Sequence, residues 1–126
     1  MAQILVIDDD DSVREIIVAA LQFGGHAVSA ASGGRQGQTH LQSQPVDLVI
    51  TDILMPDQDG FETITQLRQT RPGLPVIAMS GASTHSQLYL KIAGQLGARR
   101  IISKPFSVAD LIRVTNEVLE RPSVSD

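Results

Sequence analysis

Cysteine and tryptophan are absent from the 126 residues, and aromatics amount to one tyrosine and three phenylalanines. Without cysteine there is no disulfide framework and no thiolate metal site. So few aromatics leave little to line a flavin ring. No apolar run approaches the ~20 residues that a membrane-spanning helix needs. Positive charge is in deficit too: 10 Lys and Arg stand against 14 Asp and Glu, a net charge of −4. That argues against bulk electrostatic binding to nucleic acid or an anionic membrane, and leaves room only for a local basic patch. The chain reaches "ILVI" within a few residues without a charged leader, so no signal peptide is expected and the cytoplasm is the default location.

What is present is apolar residue, 42% of the chain and spread along its length, enough for one core in one domain. Short apolar runs alternate with amphipathic stretches. Residues 3–7 (QILVI), 47–51 (DLVIT), 75–79 (PVIAM) and 99–103 (RRIIS) read as strands, and 26–30 (HAVSA) as a weaker, more polar one. Between and after them lie helical patterns. The first carries Val13, Ile16, Ile17, Ala20 and Leu21 inward and stops at Gly24-Gly25. Residues 33–43 read as a polar helix. The third helix turns Phe61, Ile64 and Leu67 inward, the fourth Leu88, Ile92 and Leu96, and the fifth Val108, Leu111, Ile112, Thr115, Val118 and Leu119. Five strand–helix units in order imply an α/β fold, with helices on both faces of a parallel sheet and right-handed crossovers. Residues 1–121 are read as one domain and 122–126 as a polar C-terminal tail.

Ligands of an open parallel sheet gather outside the carboxyl ends of its strands. After the first strand come Asp8 and Asp9, the start of "DDDD"; after the third, Asp52; after the fourth, Ser80; after the fifth, Lys104 and then Pro105. Only the second strand offers nothing but Ser and Ala. Taken singly, these residues read as caps or solvated ends. Asp10 and Asp11 in particular suit a helix N-terminus, with Asp11 or Ser12 as the cap. Taken together they bring three acids, a hydroxyl and an ammonium to one rim. Carboxylates within roughly 4–6 Å of one another raise each other's pKa unless a cation intervenes. Hard oxygen donors suit Mg²⁺, the lysine suits a phosphate oxygen, and an aspartate beside such an ion can act as a nucleophile toward phosphorus.

The ordered set "ILVIDDDDSVRE", "DLVITDILMPDQDGFE", "PVIAMSG" and "LGARRIISKPFSVADL" resembles the receiver domain of response regulators, the phosphoacceptor module of two-component signalling. The resemblance covers nearly the whole chain. It implies a flavodoxin-like doubly wound (βα)5 fold with a five-stranded parallel sheet in the order 2-1-3-4-5. Strands two and five would then be the edges, consistent with their polar sequences. It further implies that Asp52 is phosphorylated, that Asp9 binds Mg²⁺ (Mn²⁺ substituting) with the help of Asp8 and Asp52, and that the backbone carbonyl of Leu54 completes the protein ligands. Ser80 would hydrogen-bond the phosphoryl group, Lys104 would pair with one of its oxygens, and the Lys104–Pro105 peptide would be cis. The donor would be a sensor histidine kinase or a histidine phosphotransfer protein. A downstream protein, or a second copy of the domain, would read the face made by the fourth helix, fifth strand and fifth helix. No direct contact with nucleic acid or membrane is implied. On this reading Pro56 and Gly60 shape a turn, Asp59 caps the third helix, Asp57 has no catalytic part, and Phe106 packs.

The sequence departs from the family where an aromatic often stands in the fifth strand, because that position is Ile101. An aliphatic side chain cannot repeat an aromatic rotamer exchange with a polar tip. Arg99, Arg100 and Lys91 give the same face a basic character, either merely solvated or a dock for an acidic partner. His26, His40 and His85 share no metal-ligand spacing and read as surface or edge residues. Leu54 and Ala82 flank the expected site and cannot orient an attacking water, so autodephosphorylation is expected to be slow and the chain not to be an enzyme with a separate substrate. An aspartyl-phosphate phosphatase is the alternative. It commonly needs an acid two residues after the nucleophile, where this chain has Leu54. A flavin module on the same fold would be coloured.

Overall fold

Runs rich in Ile, Val and Leu form strands here because both their faces are covered. The computed structural model describes residues 2–53, 60–81 and 86–120. In chain order its elements are β1 (Gln3–Ile7), α1 (Asp11–Phe23), β2 (Ala27–Ala31), α2 (Gly34–Ser43), β3 (Leu48–Asp52), α3 (Gly60–Thr70), β4 (Val76–Ser80), α4 (Ser86–Leu96), β5 (Arg100–Ser103) and α5 (Val108–Glu120). All strands are parallel, in the order β2-β1-β3-β4-β5. β3 and β4 are buried throughout, whereas β2 and β5 are partly exposed edges.

Alternation along each strand splits the core in two. Ile4, Val6, Ile50 and Met79 face α1 and α5, meeting Ile17, Leu21, Leu111 and Val118. Leu5, Ile7, Val49 and Ala78 face the other way, meeting Leu41 of α2, Ile64 and Leu67 of α3, and Leu90 and Ala93 of α4. Each fully buried side chain of this size contributes about 1.5–3 kcal/mol, and the summed effect holds the rim in place while the rim itself buries acids.

β2 and β3 start and end one residue later than their patterns predict, and β4 does the same. The ladder explains this: Asp52 pairs with Met79, and Ser80 with Ser103, so the site residues are the last rungs of their strands. Asp47 stays outside β3 because its carboxylate accepts the Gln3 N–H at 2.8 Å. Three helix positions expected inward point outward: Ile16 at 57% exposure, Leu88 at 53% and Val108 at 46%. On α4 the buried line is Leu90 and Ala93, so the helix is rotated from the Leu88–Ile92–Leu96 stripe. The helix α1 is capped by Asp10, whose carboxylate accepts the Val13 N–H at 3.1 Å, and not by Asp11 or Ser12.

Gly60, expected to shape a turn, has a packing reason as well. Its N–H donates to the Ile53 carbonyl at 2.6 Å. A Cβ there would fall on the Asp52 carbonyl oxygen and 2.5 Å from Ile53 Cα, which are backbone atoms that cannot swing aside. Gly60→Ala should therefore cost about 1–3 kcal/mol, the range for overpacking, read as a lower denaturant midpoint at unchanged slope.

Candidate functional site

The register Ile7↔Thr51 brings Asp8 and Asp52 side by side at the ends of the two central strands. One carboxylate oxygen from each of Asp8, Asp9 and Asp52 lies within 4.8 Å of the others. Asp8 is fully buried, Asp52 is 8% exposed and Asp9 is exposed. Among the described residues this is the one group of three or more such ligands that could hold a metal ion.

β4 and β5 deliver the other two residues. The Lys104 N–H donates to the Ser80 carbonyl at 2.8 Å, so the chain leaves β5 beside the end of β4. The Lys104–Pro105 peptide is cis, as the resemblance implied. Lys104 Nζ donates to Asp8 Oδ2 at 2.9 Å and stands 3.5 Å from Asp52 Oδ2. The remaining oxygens are bonded to backbone: Asp8 Oδ1 accepts the Asp10 N–H and Asp52 Oδ1 accepts the Ile53 N–H, both at 2.9 Å. Asp52 Oδ2 is thus aimed into the cluster while its partner oxygen is pinned.

Burial pushes the Asp52 carboxyl up from 3.8 to about 6; Lys104 and the Ile53 N–H oppose that rise, and the charge of Asp8 adds to it. Burial pulls Lys104 down, but its hydrogen bond to Asp8 and the nearby charge of Asp52 outweigh this, so its ammonium is held above the usual lysine range. Ser80 is 1% exposed, and its Oγ has no hydrogen-bond partner among the described residues. A buried hydroxyl without a partner costs about 1–3 kcal/mol, so it marks a place where a further acceptor fits. Three hard oxygen donors and an orphaned donor beside them suit a divalent cation with a phosphate oxygen.

The structure therefore brings together Asp8, Asp9, Asp52 and Lys104, and buries Ser80 at the adjoining strand end. Leu54 lies outside the described residues, as do Pro56, Asp57, Asp59, Ala82 and His85. Ile101 sits 45% exposed on the edge strand. Phe106 packs against the core, as expected. His26 has a structural post: Nδ1 accepts the Ala2 N–H at 3.3 Å, and Nε2 lies 3.2 Å from Asn116 Oδ1. The basic character expected of the β5 face is partly neutralised, because Arg100 pairs with Glu117 at 2.7 Å and holds that carboxyl below its usual range. Sequence reasoning missed Arg14. Its guanidinium donates to the Asp8 carbonyl at 2.7 Å and to the Asp11 carboxylate. The available signal was its place one turn into α1, just after the acids.

A family model described as the response regulator receiver domain matches residues 4–116. The chain is 34% identical over 125 residues to the response regulator MprA of Mycolicibacterium vanbaalenii, covering 98% of this chain and 53% of MprA. It is 33% identical over 121 residues to the DNA-binding transcriptional regulator NtrC of Rhizobium meliloti, covering 96% of this chain and 25% of NtrC. It thus spans about half the length of MprA and less of NtrC. Among solved structures, the receiver domain of NtrX from Brucella abortus superimposes with a TM-score of 0.88 at 28% identity, over 93% of this chain and 98% of that one.

Proposed function

This chain belongs to the response regulator receiver family, and on that premise we propose that it is a phosphoacceptor switch of a two-component phosphorelay, phosphorylated on Asp52. The observation that carries the reading is the meeting of three carboxylates, one ammonium and an orphaned buried hydroxyl at one rim. Asp8, Asp9 and Asp52 would hold Mg²⁺, or Mn²⁺, and the resemblance adds the Leu54 carbonyl as a further ligand. When bound, the cation offsets the charge that the acids and an incoming phosphoryl group would otherwise share.

The chain's own residues do the rest. The Asp52 carboxylate attacks the phosphorus of a phosphohistidine. The P–N bond breaks, its electron pair stays on the imidazole nitrogen, and an acyl phosphate forms. Lys104 is near enough to Asp52 to turn toward a phosphoryl oxygen, and Ser80 Oγ finds there the acceptor it lacks. The domain modifies only itself. Leu54 and Ala82 supply no group to direct a water, so hydrolysis is slow.

The donor is a sensor histidine kinase or a histidine phosphotransfer protein. An apolar groove of ≈ 440 Å³ begins at Gly81 and Lys104 and continues over Ile16, Pro105 and Phe106. Because Lys104 belongs both to this groove and to the acid cluster, the groove is the surface on which the donor docks. The output is read on the α4–β5–α5 face, by a downstream protein or a second copy: Leu88 of α4 and Ile101 of β5 are exposed, and Arg100 and Arg113 both pair with Glu117 of α5.

The test is intact-mass spectrometry after incubation with a small acyl-phosphate donor and Mg²⁺. One phosphate should appear on the native protein, persist after the donor is removed, and be missing from Asp52→Ala. A labelled Asp52→Ala protein, or an unlabelled native one, would sink the proposal.

A further inference from the structure

Arg14 reaches back from α1 to the end of β1. One arm of its guanidinium donates to the Asp8 carbonyl at 2.7 Å, and the other donates to the Asp11 carboxylate. The side chain of Arg14 is only 19% exposed, whereas that of Asp11 is 80% exposed. The Asp8 carbonyl belongs to the peptide that joins Asp8 to Asp9. That peptide is planar, so holding its oxygen fixes the last backbone torsion of Asp8 and the first of Asp9 together. The other contacts of the turn leave this oxygen to Arg14: Asp8 Oδ1 takes the Asp10 N–H, Asp8 Oδ2 takes Lys104, and Asp10 caps the helix. Asp8 is locked by its own carboxylate. Asp9 is exposed, and no such bond ties its carboxylate down among those described.

We infer that Arg14 is a positioning residue for the cation site: by clamping the Asp8–Asp9 peptide it aims the Asp9 carboxylate at the oxygens of Asp8 and Asp52. The inference rests on the reading of these three acids as the ligands of Mg²⁺. Simple electrostatics predicts the opposite sign. A guanidinium near the acids repels a cation, so deleting it should tighten Mg²⁺ binding. If Arg14 positions, deleting it loosens binding, because side chains that hold a metal's ligands in place are typically worth 10–100-fold in affinity.

Mg²⁺ titration calorimetry, with Mn²⁺ electron paramagnetic resonance as a second readout, separates the two on the native protein, Arg14→Met, Arg14→Lys and Asp11→Asn. Arg14→Met should bind Mg²⁺ about ten-fold or more weakly. Arg14→Lys should fall between, because an ammonium keeps the charge but lacks the fork that spans both acceptors. Asp11→Asn should stay close to native, because it leaves the Asp8 carbonyl held. Should Arg14→Met not fold, Arg14→Lys carries the test and must be weaker than native. Native-like or tighter binding in the Arg14 variants overturns the positioning role alone. A native protein that takes up neither ion overturns the metal reading and this inference with it.

Discussion

Asp52→Asn should make the metal-free protein more stable at pH 7–8 by about 1–3 kcal/mol, while abolishing phosphorylation. The reason is the environment of the carboxyl. Its folded-state value is raised from 3.8 to about 6, chiefly by burial. A group raised in this way stabilises the fold only while it holds its proton. That contribution is complete below about 3.8 and lost as pH climbs through about 6. Above that the buried anion costs up to about 3 kcal/mol, the free-energy equivalent of the shift. An amide of the same shape has no charge to desolvate, and its oxygen still accepts the Ile53 N–H. The gain is trimmed because Lys104 loses its second anion. For a domain of this size each kcal/mol moves the thermal midpoint by roughly 4 °C, so melts in chelator across pH 4–8 will resolve it. The two proteins should coincide near pH 4 and separate as pH rises, and Mg²⁺ should narrow the gap by stabilising the native protein more than the variant, which has lost one of its three carboxylates. Parallel stability profiles across that range would mean that Asp52 carries no such burden.

Only one of the aspartates behind β1 is buried next to Asp52: Asp8 is fully buried, whereas Asp9, Asp10 and Asp11 are exposed. Consecutive acids at a buried strand end conflict with ordinary patterning, and conflicts of this kind concentrate where function is built. The conflict was legible because each site residue follows a short apolar run. Such runs mark strand ends whatever their exact boundaries, so Asp8, Asp9, Asp52, Ser80 and Lys104 could be placed on one rim although β3 and β4 begin a residue later than their patterns suggest. The parallel sheet was legible for the same reason, and its polar edges for their composition.

Other features were set by tertiary packing that no local pattern encodes. The helix α4 carries apolar residues on more than one side. Leu88 and Leu90 compete, and the contacts of Leu90 and Ala93 with the sheet decide the rotation. Any of several neighbouring aspartates could cap α1. Asp10 does so because its own N–H is drawn onto Asp8 Oδ1, which folds the turn at that position. Arg100 looked like a free cation, but its partner Glu117 lies 17 residues away on α5. Gly60 looked like a turn residue, and only the backbone beneath Asp52 shows that nothing larger fits.

Lys104→Met should act in the opposite sense to Asp52→Asn, on the same cluster. Lys104 Nζ is the cation against the fully buried Asp8 carboxylate at 2.9 Å and the second neighbour of Asp52 at 3.5 Å. Removing one partner of a buried ion pair leaves the other charge uncompensated, which costs about 3–5 kcal/mol. Methionine keeps most of the stem's apolar packing, so the loss is electrostatic and should depend on pH. With the ammonium gone, Asp52 loses the strongest influence that lowers its pKa and rises further above its unfolded value. Stability is then lost over a wider span as pH increases, and the deficit relative to the native protein should be small near pH 4 and largest at pH 8. Urea unfolding in chelator at both pH values reads this directly, and adding Mg²⁺ at pH 8 should restore part of the loss because the acids again face a cation. Equal stability of Lys104→Met and native protein at pH 8 without metal would mean that the acids do not need the lysine. The opposed signs at residues 52 and 104 are themselves the argument: a rim built for its own stability would lose from both substitutions, whereas one holding an unbalanced anion for chemistry gains from the first and fails with the second.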